Sequence, residues 1–187
     1  MKPAERILAA ADRLFYEQGI RAVGVDTIAA EAGVSKRTLY NHFPRKDDLI
    51  AAYLNGRFYV APASDKPARE QLLGAYDRLE RMIADGSFRG CPYVNAVTEI
   101  GDPKHPAARM ALQFKETRRM WYRELLERLD VAEPDALSSQ LQILAEGVLS
   151  SALVRNDPAV ARSARAAAEV LIDSAPRKKR RRQAAAS

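Results

Sequence analysis

The sequence predicts an all-α protein of about nine helices, and three observations lead to this fold class. Apolar residues recur every three or four positions through most of the 187-residue chain, which is the period of a helix buried on one face. No stretch alternates polar and apolar residues for long enough to indicate a β-strand. Glycine, proline and capping residues divide the periodic stretches into segments of helix length. We expect a small N-terminal domain followed by a larger C-terminal helical domain.

The first four helices precede residue 57. Gly19 ends the first helix, Ser35 is a strong N-cap for the third, and Pro44 closes the third. The apolar positions of the four helices are, in order, Ile7, Leu8, Ala11, Leu14 and Phe15; Ile28, Ala29 and Ala32; Leu39 and Phe43; and Leu49, Ile50, Tyr53 and Leu54.

A change of composition at residues 61–67 indicates the domain boundary. This segment, APASDKP, contains turn-forming residues that interrupt the apolar period. We therefore predict one domain over residues 1–57 and a second over residues 67–175. The second is expected to hold a helix that ends at Asp85-Gly86, followed by helices over residues 92–100, 106–129, about 133–156 and about 157–174.

The composition is that of a folded protein that stays in the cytoplasm. Hydrophobic residues make up 47% and charged residues 29% of the chain, as in ordinary globular domains. No apolar run is long enough to span a bilayer, and the first residues lack the apolar core of a signal peptide. The single cysteine, Cys91, excludes an internal disulfide and fits a reducing compartment.

The net charge of +6 comes from one segment near the C-terminus. Residues 177–182 read RKKRRR, and without them the chain has 24 basic and 24 acidic residues. We expect residues 176–187 to form a disordered basic tail. Two roles remain open for it, solubility alone or accessory contact with DNA through counterion release. Any specific DNA binding must therefore depend on where charge is placed in the folded part.

Residues 25–43, VDTIAAEAGVSKRTLYNHF, predict a helix-turn-helix. Gly33 lies where the tight turn between two helices needs a positive φ. Leu39 and Phe43 are four apart and anchor the second helix, while its polar side chains point away from them. A helix of this kind can enter the major groove of DNA while its partner helix supports it. A merely solvated helix face is the alternative.

These residues give the chain a resemblance to the TetR family of bacterial transcriptional regulators over roughly residues 5–55. The residues that carry it are Phe15, Gly19, Ile28, Ala29, Ala32 to Lys36, Thr38 to Tyr40, His42, Phe43 and Lys46. The resemblance implies that Tyr40, His42 and Lys46 clamp phosphates and that Thr38 lies near backbone or base. Arg37 is our candidate for base readout, because arginine pairs bidentately with guanine. The candidate DNA-binding residues are Ser35, Lys36, Arg37, Thr38, Tyr40, Asn41, His42 and Lys46.

One position departs from the family pattern. The family often has Thr or Ser just before the second helix, where this chain has Val23-Gly24. Glycine caps a helix acceptably but provides no hydroxyl for a phosphate. The departure should change the affinity for DNA but not abolish DNA binding.

The resemblance also implies that the larger domain dimerises and holds an effector pocket. Two apolar helix faces rich in small residues suit a four-helix bundle made by two subunits, although packing within one subunit is the alternative. A symmetric dimer can place two recognition helices about 34 Å apart. The candidate dimerisation residues are Leu141, Leu144, Val148, Leu149, Ala164, Ala168 and Leu171.

The candidate pocket residues combine apolar walls with a few polar groups, as small-molecule sites do. They are Tyr76, Leu79, Ile83, Cys91, Val94, Asn95, Glu99, Phe114 and Trp121, and core packing is the alternative for each. The GC-x-x-x-N sequence at residues 90–95 resembles one subset of the family, in which it begins the sixth helix. Cys91 would then lie at a helix N-terminus, where a thiolate is stabilised. The other interpretation is a buried structural cysteine with Asn95 bound to backbone.

The leading hypothesis is a homodimeric repressor that binds a palindromic double-stranded DNA operator and is released by a small-molecule effector. Two alternatives remain: a DNA-binding protein of this fold without an effector, and a thiol or electrophile sensor acting through Cys91. We expect neither cofactor nor metal, since the spacing of Cys91, Glu99 and His105 matches no established site. The chain has only two histidines and no glycine-rich phosphate loop, so we do not expect an enzyme.

Overall fold

The computed structural model describes residues 1–59 and 61–178, and these residues form nine α-helices with no β-strand, which confirms the all-α prediction. The helices are α1 (Pro3–Gln18), α2 (Val25–Glu31), α3 (Lys36–His42), α4 (Lys46–Gly56), α5 (Ala68–Ala84), α6 (Pro92–Ile100), α7 (Pro106–Arg128), α8 (Pro134–Arg155) and α9 (Ala159–Ser174). Within the described ranges, none of them is both long and apolar enough to cross a membrane.

The chain forms two compact units that do not follow the sequence-based division at the linker. The first unit contains α1 to α4 together with residues 89–116, and the second contains residues 61–88 and 117–178. The helix α6 and the first half of α7 therefore belong with the N-terminal helices, whereas the sequence division placed them in the domain of residues 67–175. A break in composition marks a linker, but distant contacts decide which helices pack together.

Aromatic contacts hold α6 and α7 in the first unit. The buried Tyr93 hydroxyl donates to the Leu54 carbonyl oxygen at 2.8 Å. The rings of Tyr93 and Phe114 stack with centroids 4.2 Å apart, and Phe58 meets Phe114 edge-on at 5.5 Å. Burial raises the pKa of Tyr93 to about 12, so its hydroxyl remains a hydrogen-bond donor at neutral pH.

The core of the first unit forms where α1 packs against α2, α3 and α4. The Phe15 ring meets the Tyr53 ring edge-on, with centroids 5.6 Å apart. The buried apolar side chains of these four helices are Ile7, Ala10, Ala11, Leu14, Phe15, Ile28, Ala29, Leu39, Leu49, Ile50, Tyr53 and Leu54. Helical periodicity indicated all of these positions except Ala10, and the predicted positions Leu8 and Phe43 are only partly buried.

In the second unit, α5 and α8 pack against α9. The buried Tyr76 hydroxyl on α5 donates to the Leu141 carbonyl oxygen on α8 at 2.8 Å. Arg69 on α5 binds Asp173 and Glu169 on α9, with nitrogen–oxygen distances of 2.7 and 2.6 Å. Charged pairs of this kind join the outer faces of two helices whose inner faces are apolar.

Residues 176–178 are ordered, which corrects the expectation of disorder for this part of the tail. Val131 and Arg177 form an isolated antiparallel bridge. The Ala132 amide donates to the Pro176 carbonyl oxygen at 2.8 Å, and the Lys178 amide donates to the Asp130 carbonyl oxygen at 2.6 Å. The backbone here finds partners in the turn after α7, a distant pairing that a run of charges does not reveal. The rest of the predicted tail, residues 179–187, lies outside the described residues.

Candidate nucleic-acid interface

The turn between α2 and α3 has the predicted geometry. Gly33 has a φ of +63°, in the left-handed region that favours glycine. The Ser35 hydroxyl oxygen accepts a hydrogen bond from the Thr38 amide at 3.0 Å, which confirms Ser35 as the N-cap of α3. The Thr38 hydroxyl lies 2.8 Å from the same oxygen. Two residues therefore fix where α3 begins and in which direction it runs.

One side of α3 is anchored and the other faces solvent. Leu39 is 1% exposed and packs in the core of the first unit. Phe43, at the C-cap, is only partly buried, so Leu39 is the main anchor of the helix. Of the other candidates in this segment, Thr38 is partly buried and the rest are exposed: Ser35, Lys36, Arg37, Tyr40, Asn41 and His42. The helix thus presents a continuous row of hydrogen-bond donors and cationic groups on its outer face.

The candidate Lys36 is paired with an acid of the neighbouring helix. Its Nζ lies 2.9 Å from the Asp26 carboxylate, and this hydrogen bond and ion pair raise the pKa of Lys36. Both side chains are exposed, so water and salt screen the pair strongly. The pair joins the first turns of α2 and α3 without removing Lys36 from the surface.

Lys46 is directed toward the protein rather than toward solvent. Its Nζ donates to the Ile20 carbonyl oxygen at 2.6 Å and lies 5.8 Å from the centroid of the Phe15 ring. Desolvation lowers the pKa of Lys46, with the nearby Glu99 acting in the opposite direction. The structure therefore separates Lys46 from the other candidate DNA-binding residues, which lie on or beside α3.

The N-terminus of α2 has the glycine cap that the sequence indicates. Gly24 is the N-cap, and no side chain caps the helix there. The residue before it, Val23, is 1% exposed. The start of α2 is thus fixed by the burial of Val23 and by backbone contacts rather than by a capping hydroxyl.

The nine candidate pocket residues divide between the two units. Tyr76, Leu79, Ile83 and Trp121 belong to the second unit, and Cys91, Val94, Asn95, Glu99 and Phe114 belong to the first.

In the second unit, Tyr76, Leu79 and Ile83 are buried core residues. The Arg78 guanidinium lies 5.7 Å from the centroid of the partly buried Trp121 indole. This position permits a cation–π interaction.

In the first unit, the polar candidates are bound to backbone. The Asn95 amide donates to the Arg89 carbonyl oxygen at 2.7 Å, and the Glu99 carboxylate accepts the Arg21 amide at 3.0 Å. Val94 is 45% exposed. Asn95 thus has the backbone-bound role that the sequence left as an alternative.

Cys91 is buried and lies beside an ammonium group. Its side chain is 8% exposed, and its Sγ lies 3.5 Å from the Nζ of Lys115. The residue is the N-cap of α6. The burial of Cys91 limits access by large reagents.

Two polar residues of the second unit were missed by sequence analysis. Tyr122 is 0% exposed and Gln142 is 9% exposed. Among the described residues, the Tyr122 hydroxyl and the Gln142 Oε1 are the buried side-chain polar atoms without a hydrogen-bond partner. Buried polar groups are nearly always bonded in folded proteins. The sequence signal for Gln142 was a glutamine among the mostly apolar residues of α8.

Four of the seven candidate dimerisation residues face the interior of their own subunit. Leu144, Ala164 and Leu171 are partly buried, whereas Leu141, Val148, Leu149 and Ala168 are 0 to 6% exposed. The latter four have almost no surface left for a second subunit. Other apolar residues of α8 and α9 are exposed instead: Ile143, Leu153, Val154 and Val170.

The candidate set Cys91, Glu99 and His105 does not form a metal centre. In the part of the chain that the structure describes, no three His, Cys, Asp or Glu side chains gather closely enough to hold a metal ion. Glu99 accepts the Arg21 amide and His105 Nε2 lies 3.4 Å from Asp47, so each side chain has a separate partner.

The helical fold and the exposed, capped second helix of a helix-turn-helix define a DNA-binding protein of the transcription-regulator class. The family model of bacterial regulatory proteins of the tetR family matches residues 7–53. The HTH-type transcriptional regulator YjdC of Escherichia coli is 27% identical over 179 residues, which cover 90% of this chain and 92% of that protein.

Two solved structures extend the similarity over nearly the whole chain. A putative TetR transcriptional regulator of Streptomyces avermitilis is 33% identical, with a TM-score of 0.85 and coverage of 95% of this chain and 100% of that one. A TetR-family regulator of Streptomyces coelicolor is also 33% identical, with a TM-score of 0.84 and coverage of 92% and 96%. The chain belongs to the TetR family of transcriptional regulators.

Proposed function

We propose that the protein is a homodimeric repressor that binds a palindromic operator through α3. It releases the operator when a small molecule binds the larger C-terminal helical domain. The outward face of α3 carries this proposal, because it combines a rigid anchor at Leu39 with exposed cationic and hydroxyl side chains. Such a regulator acts on chromosomal DNA in the cytoplasm and catalyses no reaction.

In the proposed complex, the residues of α3 divide between base and phosphate contacts. Arg37 is exposed in the first turn of α3, the end of a recognition helix that meets base edges, and we assign it to base readout. We assign Tyr40, Asn41 and His42 to phosphates or sugars. Ser35, Lys36 and Thr38 lie at the first turn, where exposed amides and positive charge favour a phosphate.

An exposed stripe on α8 supports dimerisation. Ile143, Gly147, Ser150 and Val154 follow one another at intervals of four, three and four residues and are all exposed, so they share one helix face. Ile143 is 69% and Val154 is 85% exposed. A Cβ built on Gly147 would meet no atom within 4 Å, so packing within the subunit does not require this glycine. A second copy approaching closely along α8 would require it.

The unpaired buried groups Tyr122 and Gln142 support a ligand site in the second unit. Leaving a buried polar group unbonded costs about 1–3 kcal/mol, and a ligand that supplied the missing partners would remove this cost. The Nε2 of Gln142 already donates to Glu146 at 2.8 Å, which leaves its Oε1 as an acceptor. We therefore propose an effector that carries an N–H or O–H group.

The contact between Lys115 and Cys91 favours a second candidate function, sensing of thiol-reactive molecules. A sensor cysteine at position 91 would be modified faster than free glutathione, whereas a merely structural cysteine would be modified more slowly. The test is the rate of alkylation by iodoacetamide compared with glutathione at the same pH. A slower rate at Cys91 removes this second candidate.

The leading proposal is tested by identifying the operator and a ligand that releases the protein from it. Footprinting of the DNA around the gene should show a protected palindrome whose half-sites are one helical turn apart. A thermal-shift screen of metabolites and drugs should then identify ligands, and a true effector should dissociate the complex. Absence of sequence-specific protection would overturn the operator proposal, and a ligand that stabilises the protein without releasing DNA would overturn the release mechanism.

A further inference from the structure

The loop between α1 and α2 is held by polar groups from two other helices. On one side, a carboxylate oxygen of Glu99, in the last turn of α6, accepts the Arg21 backbone amide at 3.0 Å. On the other side, the Lys46 ammonium group, at the start of α4, donates to the Ile20 carbonyl oxygen at 2.6 Å. Two consecutive residues of one loop are therefore fixed by an acid and a base that are far apart in sequence.

Gly19 makes the approach of Glu99 possible. Its φ of +93° is strained for any residue with a side chain. A Cβ at this position would also lie 2.9 Å from Oε2 and 3.2 Å from Cδ of Glu99. Glycine is needed here both for the backbone conformation and for the close carboxylate.

The environment of Lys46 indicates that its contact with the loop is specific. Desolvation lowers the pKa of Lys46, while the negative charge of Glu99 favours the charged form. A partly buried ammonium group keeps its charge at the least cost when it donates to a nearby oxygen. The Ile20 carbonyl oxygen fills that role, and Ile20 itself is 4% exposed.

The loop determines how α2 enters the helix-turn-helix. The N-cap Gly24 has no side-chain hydrogen bond to stabilise the start of α2. Without such a cap, the orientation of α2 depends more on the residues just before it, namely buried Ile20 and Val23 and the bonded Arg21 amide. Because α2 packs directly against α3, a shift of the loop would displace the recognition helix.

We propose that Glu99 and Lys46 are positioning residues for DNA binding, which clamp residues 19–21 and thereby orient α2 and α3, and that Lys46 contacts no phosphate itself. The inference rests on the proposed use of α3 in operator binding. It assigns Glu99 a role other than ligand contact and Lys46 a role other than phosphate contact, in contrast to our sequence-based expectations for both.

The salt dependence of DNA binding separates a positioning lysine from a phosphate-binding lysine. The logarithm of the binding constant falls with the logarithm of salt concentration by about 0.9 for each neutralised phosphate. Lys46→Met should weaken operator binding about tenfold and leave this slope unchanged, and Lys46→Arg should restore most of the affinity. A slope that becomes shallower by about 0.9 per subunit would overturn the assignment, as would unchanged affinity. Lys104→Met, at an exposed lysine of the same unit, is the matched control.

The role of Glu99 is tested by two substitutions, one that keeps an acceptor oxygen at this position and one that removes it. Glu99→Gln keeps an oxygen that can accept the Arg21 amide and should bind the operator within about threefold of the unmodified protein. Glu99→Ala removes the acceptor and should lose about tenfold in affinity. Glu124→Ala, at an exposed glutamate of α7, controls for the loss of one negative charge from the protein. Equal affinity of Glu99→Ala and Glu99→Gln would overturn the proposal.

A second readout needs no DNA and therefore separates failure of the clamp from failure of the operator proposal. The Arg21 amide should exchange with deuterium more slowly in the full chain and in Glu99→Gln than in Glu99→Ala. Circular dichroism and thermal melting establish that each variant is folded. Unaltered exchange in a folded Glu99→Ala would overturn the clamp, whatever the DNA measurements give. If the full chain binds no specific DNA while the exchange difference is present, only the operator proposal fails.

Discussion

The guanidinium of Arg57 forms two parallel hydrogen bonds with the carboxylate of Asp12, at 2.7 and 2.8 Å. The pair joins the end of α4 to the middle of α1. The same guanidinium lies 4.1 Å from the centroid of the Tyr16 ring, so it is held by an aromatic face as well as by the carboxylate.

We expect this pair to stabilise the first unit more than an ordinary surface pair does. A double-mutant cycle with Asp12→Asn and Arg57→Met should give a coupling free energy on the order of 1 kcal/mol, because the pair is bidentate but partly screened by water. The control is the more exposed Arg45–Asp48 pair, for which we expect a clearly smaller coupling free energy. Equal coupling in the two cycles would contradict the special role of Arg57. Urea unfolding provides the measurement.

Removing the Tyr122 hydroxyl should not destabilise the free protein. Tyr122→Phe deletes a buried group that lacks a partner, so the melting temperature should stay the same or rise. Tyr76→Phe is the matched control, since it deletes a hydroxyl bonded to the Leu141 carbonyl oxygen, and it should cost about 1 kcal/mol. A fall in melting temperature for Tyr122→Phe as large as for Tyr76→Phe would show that the hydroxyl is already satisfied, for example by water.

Blocking the exposed stripe of α8 should separate the subunits without unfolding them. Gly147→Leu places a large side chain where the subunit has open space, and Ile143→Arg places a charge on the same face. Both should shift the molar mass from dimer to monomer in light scattering, with the helical signal retained. Leu112→Arg is the control, because Leu112 is similarly exposed at 71% but lies on α7. Dimers of normal stability in both variants would refute the interface.

The Arg69 network should stabilise the second unit in a pH-dependent way. The bond to Arg69 is the main cause that holds the pKa of Asp173 below its ordinary value. A depressed carboxyl pKa gives stabilisation that is fully present above the ordinary value of about 4 and is lost as the pH falls through the lower, folded-state pKa. Arg69→Met should therefore melt at a lower temperature than the unmodified protein at pH 7.

The same difference should shrink steadily once the pH falls below about 4. Arg81→Met, at an exposed arginine of α5, should show little difference at any pH. A difference between Arg69→Met and the unmodified protein that persists unchanged to pH 2 would mean that packing of the arginine stem, rather than the ion pair, provides the stability.

Sequence patterns predicted the structural features that depend only on neighbouring residues. The turn at Gly33, the N-cap at Ser35 and the missing cap at Gly24 were all indicated, because each depends on the chemistry of a few adjacent positions. The same is true of the helix bounds, where proline and glycine interrupt the apolar period. The family resemblance then supplied the fold.

Features that depend on contacts between residues far apart in the sequence could not be predicted from local sequence patterns. Both sides of α8 are apolar, so periodicity could not tell that Leu141 and Val148 face the subunit core while Ile143 and Val154 are exposed. Glu99 was predicted to contact a ligand because it shares a helix face with Asn95. Its observed partner, the Arg21 amide, lies 78 residues away in sequence. A backbone amide carries no side-chain signal.

The most direct test of the account is the sequence preference of Arg37→Ala. The binding constants of the unmodified protein and of this variant should be measured by fluorescence anisotropy on the operator and on all single-base changes of one half-site. We predict that Arg37→Ala loses about 1–3 kcal/mol on the operator and loses its preference at one base pair while keeping the others. A uniform loss on every sequence, or none at all, would contradict base readout by α3.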